Sequence, residues 1–298
     1  MDKRPIGVFD SGLGGLTVAA EITRLLPDEQ LVYLGDTARF PYGTKPATEV
    51  AGYAFEIIDF LRTHEVKIII IACNTATAAA LEKAQKSFDI PIIGVVEPGS
   101  RAAVQATRNR RVGVIGTAGT VASGAYSRAV RALDVGVTVF SAPCPKFVEI
   151  VERGDFSGAN VFGSGTYLVA KGYLQPLLRV GIDTLVLGCT HYPLLSELLR
   201  RTCGPGVTLI SSAEETALEA RAILERRGQL RAGGKAALHQ YFVTGSPSGG
   251  ARSQSDSWPW RDSKADYAAR RFRELGSRFL GRDIGKVGNV ELRKEKAV

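Results

Sequence analysis

Four short apolar segments alternate with longer helical patterns in the first hundred residues. The apolar segments are PIGVFD, LVYLGD, VKIIIIAC and PIIGVV, at residues 5–10, 31–36, 66–73 and 91–96. The stretches between them carry apolar side chains at helical spacing, and they are long enough to connect neighbouring parallel strands. This alternation predicts an α/β fold in which helices cover a parallel sheet.

The same order of segments begins again after residue 110. The second set is RVGVIG, VTVFSA and DTLVLGC, at residues 111–116, 137–142 and 183–189. Gly7 and Cys73 are 66 residues apart and Gly113 and Cys189 are 76 apart, so the repeat carries an insertion of about ten residues. Both third segments end in cysteine. We therefore predict two pseudo-symmetric parallel-sheet α/β domains with the active site in the cleft between them.

The C-terminal part of the chain is expected to return to the first domain. We assign residues 1–97 and 210–298 to the first domain and residues 98–209 to the second. HQYFVTG, at 239–245, is a further strand candidate, and the Ser/Gly-rich segment 246–262 predicts a loop. A last basic helix carries an apolar stripe that we expect to pack on the core, formed by Tyr267, Phe272, Leu275 and Phe279.

Composition restricts the classes of protein to consider. With 298 residues, 45% of them hydrophobic and 23% charged, the chain is an ordinary globular protein that can bury two cores. The first residues reach a turn before a signal-peptide region forms, and no stretch approaches the roughly 18 apolar residues of a membrane span. We expect a cytoplasmic protein without a membrane role. Its four cysteines lack zinc-type spacing, so free thiols and no metal are expected.

The positive charge is concentrated near the C-terminus. Residues 221–298 hold 17 Lys and Arg against 8 Asp and Glu, whereas the whole chain has a net charge of +8. A basic segment can bind nucleic acid or an acidic partner. This one lacks interleaved aromatic residues or a nucleic-acid motif, so a solvated surface is the favoured interpretation.

The functional prediction depends on Cys73 and Cys189. Each lies at the carboxyl end of a predicted parallel strand, where ligands bind in open sheets. Each is followed by hydrogen-bonding residues at the start of a helix, Asn74–Thr75 and Thr190–His191. Helix N-termini attract anions and lower thiol pKa values. Two thiols on opposite sides of one ligand suit inversion of a stereocentre, in which one group removes a proton and the other returns one.

Three further residues are candidates to assist the thiols. Asp10 ends the first strand, His191 lies in the turn after Cys189, and Glu152 falls in the helix of PCPKFVEIVERG. Each also has a simpler interpretation: Asp10 as a helix cap, His191 as a partner of backbone groups, and Glu152 as a solvated helix residue. A rival chemistry uses a single thiol as the acid in a decarboxylation or elimination.

Two loops are candidates for contact with a small ligand. SGLGGLTV, at 11–18, is neither a dinucleotide fingerprint nor a P-loop, so we expect it to let a small ligand approach the backbone. PYGTKP, at 41–46, offers a tyrosine hydroxyl and backbone amides to a small carboxylate.

In their order along the chain, FDSGLGGL, PYG, ACNTAT, EPG, CPKFVEIVE and LGCTHYPLL resemble the glutamate racemase family. The resemblance covers roughly residues 5–230 and is weaker near LGRDIG. It implies a cofactor-independent isomerase that interconverts L- and D-glutamate and supplies D-glutamate for peptidoglycan synthesis, cell wall biogenesis and cell shape. A racemase of aspartate or another amino acid is the alternative, because one methylene changes binding by only about 1–3 kcal/mol.

The resemblance also assigns roles to individual residues and suggests partners. It implies Cys73 and Cys189 as the acid/base pair, with Asp10, Glu152 and His191 assisting. The implied ligand contacts are Asp10, Ser11, Tyr42, Gly43, Asn74, Thr75, Thr190 and His191. We expect a homodimer. Some members of the family are associated with DNA gyrase, so a gyrase or nucleic-acid role of the basic C-terminal segment is a second hypothesis. The segment 246–262 looks longer than is usual in the family.

Overall fold

A computed structural model of the protein describes residues 2–154, 165–231, 233, 238–245 and 264–292, the first four of the last range by their backbone alone. The strands of the described ranges are β1 Ile6–Asp10, β2 Leu31–Gly35, β3 Ile68–Ile71, β4 Ile92–Gly94, β5 Arg111–Gly116, β6 Thr138–Pro143, β7 Thr184–Gly188, β8 Thr208–Ser211, β9 Gln240–Thr244 and β10 Val287–Val290. The α-helices are α1 Leu16–Leu25, α2 Ala47–Arg62, α3 Asn74–Ser87, α4 Val96–Ala106, α5 Ala118–Ser123, α6 Ala125–Leu133, α7 Lys146–Glu152, α8 Gly165–Arg179, α9 Ser196–Cys203, α10 Ser212–Arg226 and α11 Lys264–Leu280.

The strands form two separate parallel sheets. The first has the order β10-β9-β2-β1-β3-β4, and the second has the order β6-β5-β7-β8. Within the first sheet, β2-β1-β3-β4 repeats the order of the second sheet. The predicted internal repeat and the α/β fold of two parallel sheets are confirmed. Because β3 and β7 occupy equivalent positions, Cys73 and Cys189 follow equivalent strands.

The run of four isoleucines in β3 shows why the first sheet is buried on both faces. Ile68 and Ile70 pack into one hydrophobic core, and Ile69 and Ile71 pack into the core on the opposite face. Successive side chains of a strand point to opposite faces, so a continuous apolar run suits a sheet that helices cover on both sides. The strand is therefore a fixed base for the residues that follow it.

Two strands near the C-terminus complete the first sheet. β9 pairs with β2, and β10 extends the edge beyond β9. In α11, Phe272 and Leu275 are buried in the first core and Phe279 packs against it. The predicted contact of the Tyr267 side chain and the loop at 246–262 lie outside the described residues.

The structure differs from the sequence prediction in three elements. β10 was missed because its sequence, VGNV, is short and contains two residues that are rare in strands. The helix predicted directly after Cys189 begins as a 3₁₀ turn, Tyr192–Leu195, before α9 starts at Ser196. Helix α4 runs across the predicted boundary at residue 97. The domain bounds themselves stay a prediction.

Within the described ranges, no helix combines the length and apolar character that crossing a membrane requires.

Candidate active site

A cavity of about 720 Å³ lies where the carboxyl ends of the two sheets meet. This volume is within the range of small-molecule sites. The side chains and backbone that line it come from both halves of the chain: Ser11, Phe40, Pro41, Tyr42, Gly43, Thr44, Cys73, Asn74, Thr75, Thr117, Ala118, Pro145, Val148, Glu149, Glu152, Arg153, Cys189, Thr190, His191 and Arg271. Both cysteines of the equivalent strands therefore face one cavity.

Cys73 occupies the position just before α3 and is buried. Its thiol lies 3.7 Å from the Ser11 hydroxyl and receives a hydrogen bond from the backbone N–H of Ala76, in the first turn of the helix. Burial and the nearby charge of Asp10 nevertheless raise the pKa of Cys73 to about 12, against the lowering effect of those two hydrogen bonds. The expectation of a lowered pKa is wrong for this cysteine, because desolvation outweighs the helix N-terminus.

Cys189 has an imidazole partner instead. The Nδ1 atom of His191 lies 3.8 Å from its sulfur, and the Nε2 atom of the same ring lies 2.7 Å from Oε1 of Glu152. Burial alone would lower the pKa of His191, but the hydrogen bonds and charges of Cys189 and Glu152 outweigh it and raise this pKa well above its ordinary value. A Glu–His–Cys relay therefore reaches the cavity from the second half.

Asp10 lies behind the cavity wall and is fully buried. Its Oδ2 accepts a hydrogen bond from the Gly12 N–H at 3.0 Å, and its Oδ1 accepts one from the Thr190 hydroxyl at 3.3 Å. Burial raises the pKa of Asp10, and the charge of His191 is the largest effect that opposes the rise. Asp10 thus holds the turn before α1 and links the surroundings of both thiols. The capping interpretation is wrong, because the N-cap of α1 is Gly15 and no side chain caps this helix.

Residues 40–44 form one wall of the cavity, and the buried carboxylate of Asp36 holds them in place. Asp36 accepts hydrogen bonds from the Tyr42 hydroxyl, from Nε of Arg39 at 2.6 Å and from the Thr244 hydroxyl at 2.7 Å. The hydroxyl of Tyr42 is therefore bound to Asp36, and Tyr42 also lines the cavity. Sequence reasoning missed Asp36, although an aspartate at the end of a predicted strand was a visible signal.

The glycine turn before α1 brings the two halves together. A Cβ atom on Gly14 would lie 2.3 Å from the Thr190 hydroxyl and 2.5 Å from Nδ1 of His191. The room beside Gly14 is thus taken by side chains of the second half. The expectation that this room admits a ligand is wrong at that position.

Hydroxyl groups also join the halves at the cavity. The Thr75 hydroxyl lies 2.9 Å from that of Thr117 and 3.2 Å from that of Thr120. Thr117 itself lines the cavity, as does Arg271 of α11, whose Nη2 donates to the backbone carbonyl of Glu152 at 3.0 Å. Sequence reasoning missed these residues because no local motif marks contacts between distant segments.

With the exception of Asp10, every residue predicted for the site lines the cavity. The structure therefore brings the predicted residues together, whereas their catalytic and binding roles remain predictions.

Comparisons with known proteins agree with this architecture. The family model of the Asp/Glu/Hydantoin racemases matches residues 6–220. A glutamate racemase of Corynebacterium kroppenstedtii is 44% identical over 291 residues, which cover 98% of this chain and 98% of the relative.

Solved structures of glutamate racemases are also similar to this chain. The glutamate racemase isoform RacE1 of Bacillus anthracis is 40% identical and superposes with a TM-score of 0.84, covering 98% of this chain and 99% of the other. A glutamate racemase of Francisella tularensis, solved in complex with D-glutamate, is 33% identical with a TM-score of 0.83, covering 99% of this chain and 100% of the other.

Proposed function

The chain belongs to the Asp/Glu/Hydantoin racemase family, and on that premise we propose that it interconverts L- and D-glutamate by proton transfer through Cys73 and Cys189. Near full-length similarity to glutamate racemases supports glutamate as the substrate. The complex of the Francisella tularensis relative with D-glutamate supports it further.

One observation carries the mechanism: two buried thiols follow equivalent strands of two like-ordered sheets and line the same cavity. A base on one face of the α-carbon and an acid on the other can invert its configuration. One cysteine acts as a thiolate that removes the α-proton, and the other acts as a thiol that donates a proton to the opposite face. At the end of a turnover the two sulfurs have exchanged their protonation states, so the reverse reaction uses the same pair.

The partners of the two sulfurs differ, which gives each a distinct way to change protonation. Cys189 adjoins His191, which Glu152 holds in the charged form. Cys73 adjoins Asp10 and Ser11, and burial keeps its pKa high before a ligand binds. An ammonium group bound near Asp10 and Cys73 would favour the thiolate, since an opposite charge stabilises an ionised group. We propose that substrate binding itself prepares Cys73 for its role as a base.

Polar groups from both halves are available to hold the amino acid. Side-chain donors along the cavity come from Ser11, Asn74 and Thr75. Thr190, whose hydroxyl donates to Asp10, and residues 42 and 43 also line the cavity. We propose His191 as a further contact of the ligand. Asp10 lies behind the cavity wall, so we propose that its carboxylate acts on the bound amino acid through its charge. No cofactor enters this mechanism.

We propose that the D-glutamate made here supplies peptidoglycan synthesis in the cytoplasm, and hence cell wall biogenesis and cell shape. A homodimer and a gyrase or nucleic-acid interaction of the basic C-terminal segment remain predictions. A salt-dependent affinity for DNA or gyrase would support the second of these.

The function is tested by circular dichroism of the purified protein with L-glutamate, D-glutamate, L-aspartate and D-aspartate, each without added cofactor. We expect the optical signal of both glutamate enantiomers to decay to zero. Cys73→Ala and Cys189→Ala should each abolish racemisation, because each leaves one face of the α-carbon without an acid/base group. If the optical signal decayed with aspartate and not with glutamate, aspartate would be the substrate. A Cys→Ala variant that racemised at the wild-type rate would contradict the two-thiol mechanism.

A further inference from the structure

The Asn74 side chain has one satisfied and one unsatisfied end. Its Oδ1 accepts a hydrogen bond from the Tyr126 hydroxyl at 2.7 Å. Its Nδ2 is buried and has no hydrogen-bond partner among the residues that the structure describes. Asn74 is only 3% exposed, and it lines the cavity beside Cys73. A buried donor without a partner is unusual in proteins, and at a binding site a ligand can supply the acceptor.

The hydrogen-bond donor and acceptor of this contact follow from the surroundings of Tyr126. Burial raises the pKa of Tyr126, and a hydrogen bond from the Ser212 side chain acts in the opposite direction. A hydroxyl that accepts from Ser212 has its own hydrogen left to donate. The group that receives this hydrogen must be the oxygen of the Asn74 amide, because an amide nitrogen does not accept. The amide nitrogen is thereby turned away from Tyr126.

Tyr126 and Asn74 lie on opposite halves of the molecule. Asn74 is the first residue of α3, next to Cys73, and Tyr126 belongs to α6, which follows β5 of the second sheet. Tyr126 is 3% exposed, and its ring lies close to Gly188, at the end of the strand that leads to Cys189. A rigid group of the second half thus sets the orientation of a side chain of the first half.

We propose that Tyr126 is a positioning residue, which locks the Asn74 amide with its nitrogen available to a carboxylate of the bound amino acid. The proposal rests on the proposed function and extends it to a residue that does not itself line the cavity. Without the Tyr126 hydroxyl, the amide is free to turn over and present its oxygen to the carboxylate. Two acceptors would then face each other, and the ligand would bind less tightly.

The test is a double-mutant cycle of Tyr126→Phe and Asn74→Ala, with kcat and KM measured for both enantiomers and the dissociation constant of D-glutamate measured by calorimetry. Loss of one buried hydrogen bond corresponds to a KM increase of roughly three- to tenfold in Tyr126→Phe, with kcat nearly unchanged. Because Tyr126 acts through Asn74, adding Tyr126→Phe to Asn74→Ala should cause no further increase in KM.

Tyr192→Phe is the matched control. Tyr192 is fully buried and its hydroxyl donates to the backbone carbonyl of Cys144 at 2.9 Å, so this variant also loses one buried tyrosine hydrogen bond. We expect it to lower the melting temperature without raising KM. Should Tyr126→Phe not fold, Ser212→Ala takes its place in the cycle, because it removes the donor that forces the Tyr126 hydroxyl to donate to Asn74.

The outcomes separate this inference from the proposed function. If the wild-type protein racemises glutamate and Tyr126→Phe has wild-type KM, or if its effect multiplies with that of Asn74→Ala, Tyr126 is structural and the inference is overturned. If the wild-type protein neither binds nor racemises glutamate, the proposed function fails first, and the role of Tyr126 in binding glutamate fails with it.

Discussion

Replacing Glu152 by glutamine removes a negative charge from the relay to Cys189 while keeping its shape. The Glu152 carboxylate lies 2.7 Å from Nε2 of the His191 ring, whereas the Cys189 thiol lies near Nδ1 of the same ring. Glutamine can still hydrogen-bond to His191, but it cannot stabilise an imidazolium as strongly. The variant therefore tests whether the charge on His191 matters for catalysis.

The size of the effect follows from the geometry. Hydrogen bonds to charged groups contribute about 1.5–3 kcal/mol. The Glu152 side chain is 28% exposed and that of His191 only 3%. Because solvent partly screens the interaction between them, we take the lower half of this energy range. A loss of about 1.5–2 kcal/mol in the transition state corresponds to a decrease in kcat of roughly 10- to 30-fold.

The pH profile provides a second measurement with a definite sign. The pKa of His191 is raised in the folded protein, so the imidazolium persists at neutral pH and is lost as the pH rises through that pKa. Glu152→Gln removes one cause of the rise. We expect the alkaline limb of the kcat profile to move to lower pH. The equilibrium constant of a racemisation is one, so kcat/KM must stay equal in the two directions, which checks every data set internally.

Glu219→Gln is the control for Glu152→Gln. Glu219 pairs with Arg101, its side chain is 22% exposed, and it lies outside the cavity lining. This variant should keep the wild-type kcat and pH profile. An unchanged kcat and an unmoved alkaline limb in Glu152→Gln would refute the role assigned to the relay.

Two further changes probe the packing that supports the site. Gly14→Ala should lower kcat roughly 100-fold, because the added Cβ would displace Thr190 and His191. The control is Gly52→Ala, where an added Cβ meets nothing within 4 Å, and its kcat should equal that of the wild type. Lys67→Met should cost about 3–5 kcal/mol in urea unfolding, since it leaves the buried Glu29 carboxylate without its partner at 2.6 Å. The double change Lys67→Met with Glu29→Gln should cost less, and an equal or greater loss would contradict this explanation.

The two sheets could be predicted because their signals are local. Apolar runs such as Ile68–Ile71 and the helical patterns between them mark each strand and crossover, and the repeat placed Cys73 and Cys189 at equivalent ends. Residues that follow a parallel strand meet at one edge of the sheet whatever the details of packing. Asn74, Thr75, Thr190 and His191 reached the cavity for that reason.

The features of the site that the sequence did not reveal depend on contacts between segments that are distant in sequence. The hydrogen bond from Tyr126 to Asn74 joins residues 52 apart, and the one from Thr244 to Asp36 joins residues 208 apart. No local pattern marks such pairs. The pKa of Cys73 was predicted in the wrong direction for a related reason, since the helix N-terminus is visible in the sequence and the degree of burial is not.

Proton exchange with solvent tests the central claim, that two thiols act on opposite faces of one α-carbon. L-glutamate is converted in D2O to a few per cent, and the α-carbon of both the D-glutamate product and the recovered L-glutamate is analysed by mass spectrometry; the experiment is then repeated from D-glutamate. The two-thiol account predicts deuterium in the product and protium in the recovered substrate, in both directions. Product that retains the substrate's own α-proton, or recovered substrate that gains deuterium as fast as product forms, would show that one group serves both faces.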